Sequence, residues 1–168
     1  MASVIQSMNE TSGTAAPWPA SGRIAGIDYG TVRIGVAVTD PDRRLSSPWA
    51  TYERRSPSAD AAFFARFAVE ERIVGFVVGL PLFPSGDESP KSTEARRFGG
   101  WLAAATGKPV VFFDERYSST AADQYLAQGQ LTKKRRQARR DQLAAQVLLS
   151  GFLEAGQRPT AAGDSLER

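Results

Sequence analysis

The sequence predicts an α/β protein, a mixed sheet covered by helices, and three features of the chain carry that prediction. Apolar runs at residues 24–29, 34–39 and 48–52 follow one another through short Gly, Asp and Pro connections, the spacing of an antiparallel meander. Beyond residue 56, apolar runs alternate with stretches of helical periodicity, as in parallel strands joined by crossover helices. Carboxylates also stand where an open sheet of this kind builds its sites, at the carboxyl ends of strands near the reversal of winding. Asp28 and Asp114-Glu115 each close an apolar run.

Residues 1–22 are rich in Ser, Thr, Ala, Pro and Gly without sustained periodicity, and read as a disordered leader. Residues 156–168 read as a flexible tail, which leaves residues 23–155 for one domain. After the meander, Ser56-Pro57-Ser58 caps and opens a helix over 59–71, with Ala62, Phe63, Phe67 and Ala68 at helical spacing. The unbroken run Ile73-Val74-Gly75-Phe76-Val77-Val78 suits a strand buried on both faces. Residues 79–90 hold three prolines and two glycines and predict a long loop. Helical spacing returns over 92–106 through Ala95, Phe98, Leu102 and Ala105, and Gly107 stops it. Residues 109–113 form another buried strand, and Ser118-Ser119-Thr120 starts a helix to about residue 128. Thr132 then caps a last helix over 134–154, whose inward face carries Ala144, Ala145, Leu148 and Phe152.

At 168 residues, with 42% hydrophobic and 23% charged side chains, the chain has ordinary proportions for one globular domain plus tails. No segment nears the ~18 uninterrupted apolar residues of a membrane span, and residues 1–22 lack the basic start and apolar stretch of a secretory signal. A cytoplasmic location without membrane contact is expected. The absence of cysteine and histidine excludes disulfides, thiolate nucleophiles, Ser-His-Asp triads and thiolate or imidazole metal sites. Hydrolysis is left to carboxylates, alone or with hard, oxygen-preferring ions such as Mg2+ or Mn2+. The net charge is only +3, but Lys133, Lys134, Arg135, Arg136, Arg139 and Arg140 form one dense basic run, a footprint for nucleic acid.

The candidate chemistry rests on acids from distant stretches. Besides the two strand tips, Asp141 lies three and four residues before Ala144 and Ala145, which places it on the inward face of the last helix. If the three positions converge, they form an oxygen cage for divalent metal. Phosphodiester hydrolysis needs an in-line water, charge relief on the transition state and help for the leaving oxygen, and two divalent ions about 4 Å apart supply all three. In this reading Asp28 bridges the ions from a central strand, with Glu115 and Asp141 on either side. Asp114 is the weaker neighbour, since successive strand residues face opposite ways. Gly26, Gly30 and Gly35 would let backbone and substrate approach Asp28. Arg33, Lys91 and Arg116 are candidate phosphate contacts, and the basic run would hold a flanking strand or duplex. Plainer roles stay open: a turn for Asp28, an ion pair with Arg116 for Glu115, a helix-start acid for Asp141 and a solvated face for the basic run.

Four strings in order, Gly26-Ile27-Asp28-Tyr29-Gly30-Thr31-Val32-Arg33-Ile34-Gly35-Val36-Ala37, Val77-Val78-Gly79-Leu80-Pro81, Asp114-Glu115-Arg116 and Asp141-Gln142-Leu143-Ala144-Ala145, resemble the YqgF family. This family, also called RuvX, comprises Holliday junction resolvase-like proteins of the RNase H-like superfamily. The resemblance covers residues 23 to about 155. It implies an RNase H-like fold with a five-stranded sheet, and a magnesium-dependent nuclease activity proposed for Holliday junctions and for the 5′ end of pre-16S ribosomal RNA. Its acidic set maps to Asp28, Glu115 and Asp141. The loop after Gly79-Leu80-Pro81 departs from the family's Asn, Met, Asp, Gly, Ser pattern and reads Leu82-Phe83-Pro84-Ser85-Gly86-Asp87-Glu88-Ser89. Contacts made by that loop in the family therefore do not transfer. Ser118-Ser119 stands where a threonine pair is commoner.

The expected function is a metal-dependent endonuclease in 5′-end processing of pre-16S RNA, with a ribosomal partner and the choice of monomer or homodimer left open. A DNA junction resolvase would use the same chemistry, and paired cuts would favour a homodimer by symmetry. A non-catalytic RNA-binding assembly factor would account for the basic run alone. An actin-like ATPase or sugar kinase also sets an acid among glycines, but needs two such domains where this length supplies one.

Overall fold

The structure is a computed structural model and describes residues 17–117 and 132–157. Its five strands are β1 (Arg23–Asp28), β2 (Arg33–Thr39), β3 (Ser46–Glu53), β4 (Ile73–Leu80) and β5 (Val110–Asp114), in the sheet order β3-β2-β1-β4-β5. The first three form the antiparallel meander, and β4 and β5 add in parallel on the other side of β1. The described helices are α1 (Pro57–Glu70), α2 (Pro90–Thr106) and α3 (Lys133–Glu154). The helix expected over 118–128 lies outside the described residues, as do 1–16 and 158–168.

Strand alternation sorts side chains onto two cores. Ala25, Ile27, Val36, Phe76, Val78 and Leu80 meet Phe64 and Phe67 of α1 and Phe98 and Leu102 of α2. On the opposite face Ile24, Ala37 and Val77 meet Ala145, Leu149 and Phe152 of α3. Asp28 is in phase with Ile24 and Gly26, so two-residue periodicity alone places it on the α3 face. Both faces of β1 and β4 are covered, which is why these strands read as continuous apolar runs.

The helix ends follow local chemistry. Ser56 Oγ accepts from the Ala59 amide, with Pro57 opening α1. Ser89 and Ser92 form a reciprocal capping box at α2, and Gly107 ends that helix at φ +69°. The third strand is longer than expected because pairing with β2 runs past its apolar centre into Ser46, Ser47 and Glu53. The register shifts between Val36 and Ala37, whose partners are Ala50 and Pro48, so Trp49 is the bulged residue, packed on Phe63 and Phe67. Pro48 is tolerated because β3 is an edge strand.

Residues 17–22 belong to the stretch read as a loose leader, yet they pack. Trp18 lies edge-on to Phe152 at 5.8 Å and against the bare backbone of Gly75. The buried Arg43 donates to the Gly22 carbonyl at 2.7 Å and to Gln157 Oε1 at 2.8 Å, tying both ends of the described chain together. Sequence periodicity is blind to this, since one Trp among Pro and Ser has no period. Among the described residues no helix is long and apolar enough to cross a membrane.

Candidate active site

Asp28 ends the central strand, and its cross-strand partner on β2 is Gly35. The missing side chain at Gly35 admits the backbone of α3: a Cβ there would lie 2.0 Å from the Asp141 carbonyl oxygen. Gly26 does the same one layer down, against the Ala145 carbonyl at 2.9 Å. These two glycines therefore seat the helix that carries Asp141, and what they admit is the backbone expected to approach here. Gly30 faces the Arg33 carbonyl within its own turn.

On the other side of Asp28, β4 and β5 pair Gly79 with Phe113 and Leu80 with Asp114. Glu115 follows in a 3-10 turn, Glu115–Tyr117, and its carboxylate folds back over Gly79, where a Cβ would lie 2.0 Å from Oε1. Gly79, read from the sequence as the first residue of a loop, lies within β4, which runs on to Leu80. Its place in the string Val77-Val78-Gly79-Leu80-Pro81 marked it in the sequence, but not the seat it gives Glu115.

Asp28 and Glu115 meet: their carboxyl groups share a side-chain hydrogen bond. Burial, then the charges of Glu115 and Asp141, then this hydrogen bond push Asp28 up to about 8. Burial also raises Glu115, as does the charge of Asp114, while the hydrogen bond with Asp28 and the nearby Lys91 ammonium pull it back. Two carboxyl groups held side by side away from water keep a proton between them, because two adjacent negative charges would repel and neither would be well solvated.

Asp141 belongs to the same electrostatic unit but faces another partner. Its Oδ2 accepts from Arg33 Nε at 3.1 Å, in a half-exposed pair. Among the described residues no group of three or more acidic side chains is drawn together closely enough to hold one ion as it stands. Asp28 and Glu115 are joined directly, whereas Asp141 reaches them through its charge and its seat beside Gly35.

The adjacent acid has a separate task. Asp114 Oδ2 accepts from Arg116 Nε at 2.7 Å and its Oδ1 from the Arg116 amide at 2.9 Å, while Arg116 Nη1 donates to the Pro84 carbonyl at 3.1 Å. The ion pair considered for Glu115 thus belongs to Asp114, and it braces Arg116 against the loop after β4. Lys91, exposed in the first turn of α2, is close enough to act on Glu115. Lys133, Lys134, Arg135, Arg136, Arg139 and Arg140 are all exposed on the first turns of α3. Lys133 and Lys134 line an open groove of about 910 Å³ with Arg33, Tyr52, Arg55 and Gln137. Arg135 and Arg139 border a second hollow with Pro48 and Gln142.

The donor set fits a hard divalent cation. Magnesium is commonly held by one or two carboxylates plus water and substrate phosphate, and Asp28 with Glu115 offers such a pair, its retained proton marking where positive charge is wanted. Asp141 would complete a third side on leaving Arg33.

A sheet of this order, with acids at the tips of its central and parallel strands, defines a protein of the RNase H-like class. The family model described as RuvX, Holliday junction resolvase, matches residues 22–155. The chain belongs to the RuvX family, and nuclease is the class of activity that the family and its named relatives share. A relative from Rhodopirellula baltica, named "Putative pre-16S rRNA nuclease", is 49% identical over 89% of this chain and 87% of its own length. One from Nitrobacter winogradskyi with the same name is 41% identical over 88% and 91%. Among solved structures, RuvC of T. thermophilus in complex with a Holliday junction substrate matches with a TM-score of 0.51 over 83% of this chain and 99% of that one, at 14% identity. The Fowlpox virus resolvase in complex with a Holliday junction matches at 0.50 over 81% and 99%, at 12% identity. At such identities the likeness is one of fold.

Proposed function

We propose that this protein is a divalent-metal-dependent endonuclease that cuts structured RNA, acting in 5′-end maturation of pre-16S ribosomal RNA in the cytoplasm. The observation that carries the reading is the buried, proton-sharing pair of Asp28, at the end of β1, and Glu115, just after β5, on parallel strands that flank β4. The names of the relatives at 49% and 41% identity support the RNA substrate.

Asp28 and Glu115 would provide the oxygen ligands for Mg2+ or Mn2+, with Asp141 on the third side. When bound, such ions relieve negative charge on the phosphate as it is attacked. The chain's own contribution is rigidity: Gly79 seats Glu115, Gly35 seats α3, and the packed strand ends keep the acids in place without reorganisation. Arg33, which pairs with Asp141, and Lys91, which acts on Glu115, would meet the phosphates near the cut. Lys133, Lys134, Arg135, Arg136, Arg139 and Arg140 would hold the flanking strand in the groove beside β3. Arg116, braced by Asp114, would position the neighbouring loop.

Incubating wild type and Asp28→Asn with precursor 16S RNA and with a four-way DNA junction, each with magnesium, tests the reading. It expects cleavage of the RNA by wild type alone and retained binding by the variant. Symmetric cutting of the junction with the RNA intact would assign DNA instead, which the description of the family model favours, and would call for a homodimer. Binding without cleavage under any magnesium or manganese concentration would make the protein an assembly factor, with a ribosomal partner as its context.

A further inference from the structure

The loop that links β4 to α2 is an ordered platform that carries an outward-facing aromatic ring. The Phe83 amide donates to the Asp87 carbonyl at 3.0 Å, and the Gly86 amide to the Phe83 carbonyl at 2.8 Å. Ser85 Oγ donates to Asp87 Oδ2 at 2.8 Å, and Ser89 Oγ closes the base onto the Pro81 carbonyl. Gly86 turns at φ +92°, where a side chain would meet the Arg116 guanidinium at 3.2 Å. Leu82 points into the core, while Phe83 stays 49% exposed and has no ring partner among the described residues. Among the described residues the other exposed aromatic, Trp49, rests on Phe63 and Phe67.

A single exposed apolar side chain is ordinary on a protein surface; the placement of this one is informative. The loop leaves β4 directly after Gly79, on which Glu115 sits, and its far end enters α2 beside Lys91. Arg116 grips its middle at Pro84. Phe83 is thus held on a braced loop that starts at the strand end under Glu115, with Arg116 bonded to the residue after it and Lys91 at the loop's far end. Aromatic faces interleaved with positive charge are how proteins hold unpaired nucleotides, the base stacking while cations meet the phosphates.

We propose that Phe83 is a base-stacking residue that selects a phosphate flanked by an unpaired nucleobase, so that the preferred substrate is a single-stranded tract or a duplex end rather than continuous duplex. This rests on the nuclease reading of the adjacent site and adds the specificity of that site.

The test uses a hairpin RNA with a single-stranded 5′ extension carrying 2-aminopurine at successive unpaired positions, and a blunt duplex of the same length as control. Binding is measured in the Asp28→Asn background so that no cutting intervenes. With Phe83 present, one unpaired position is expected to be quenched on binding. Phe83→Ala should remove the quenching and weaken binding to the extended hairpin about tenfold, with the duplex unaffected. Phe83→Trp should restore both, whereas Phe83→Leu, which keeps apolar bulk without a π-face, should behave as Ala. Equal binding and quenching by all four proteins would overturn the proposal, as would full function of Leu. Parallel magnesium-driven cleavage by the Asp28 forms separates the two readings. Cutting that ignores residue 83, with binding equally indifferent, sinks the stacking role alone. No cutting by any form, with Phe83-dependent quenching intact, sinks the nuclease reading and leaves the stacking role standing.

Discussion

Glu115 lies directly over Gly79, with its carboxylate where the side chain of any other residue at that position would begin. The strand end and the acid are built as one unit. Gly79→Ala should push Glu115 off Asp28 while leaving the packed strand in place, because the displaced group is a side chain and not backbone. Displacement of a reacting group by about 1 Å costs on the order of 10²-fold in rate. The expected result is a cleavage rate lower by about that factor, with thermal unfolding nearly unchanged. A rate within twofold of wild type would show that Glu115 is not held by this contact.

The raised pKa of Asp28 makes the metal-free protein sensitive to pH in a defined direction. The unfolded carboxyl titrates near 3.8 and the folded one near 8, so between those values the native state binds the extra proton. Stability linked to this group is full below the unfolded value and is lost as pH rises through the folded one. In chelator, wild type should lose thermal midpoint between pH 5 and 9 relative to Asp28→Asn. A tenfold difference in proton affinity between folded and unfolded chain is worth about 1.4 kcal/mol, and a kcal/mol moves the midpoint of a domain this size by about 2–4 °C. Magnesium should restore the high-pH midpoint of wild type and leave Asp28→Asn unmoved. Parallel pH curves for the two proteins would contradict the shared proton.

Gly35→Ala meets backbone instead of a flexible side chain: the added carbon would lie 2.0 Å from the Asp141 carbonyl oxygen and 2.4 Å from its carbon. Helix α3 must then lift from β2, opening the core between Ala37, Ala145 and Leu149. Overpacking of this kind costs about 3 kcal/mol at the upper end of its usual range. Chemical denaturation should show that loss, and activity should fall with it because Asp141 rides on the same helix.

If Asp141 holds metal and Arg33 meets phosphate, their ion pair would set metal and nucleic acid in competition. Arg33→Ala removes the competing cation from Asp141, so magnesium should bind more tightly by roughly two- to fivefold, the worth of a half-exposed ion pair of about 1 kcal/mol or less. Binding to RNA should weaken in the same variant, because a phosphate contact is lost. Calorimetric titration of magnesium alongside RNA binding reads both. Weaker magnesium binding would mean that Arg33 orders Asp141 for the metal and does not compete for it.

Much of this architecture could be read from local pattern. The meander, the two parallel strands and the described helices announce themselves because alternation and helical spacing report burial directly, and Ser56, Ser89 and Gly107 mark ends by chemistry confined to one turn. Asp28 stood out as a candidate because an acid ending a strand buried on both faces has few structural uses, and the structure places it beside Glu115. The end of the supposed leader was not legible: Trp18 is packed by Phe152 and Gly75, which local pattern cannot anticipate.

Asp114 and Glu115 show most clearly where local information stops. Strand phase separates their faces, but only the folded chain assigns Arg116 to Asp114 and Asp28 to Glu115. By itself the sequence determined the element types, the sheet class and the positions of the acids, since each depends on neighbours within a turn or a strand. Tertiary structure decided the partners: how closely α3 approaches β2 over Gly35, that Asp141 faces Arg33, and that a glycine at residue 79 seats the second acid. Those contacts join distant segments, and their geometry is set by the packing distance between elements, which no local pattern encodes.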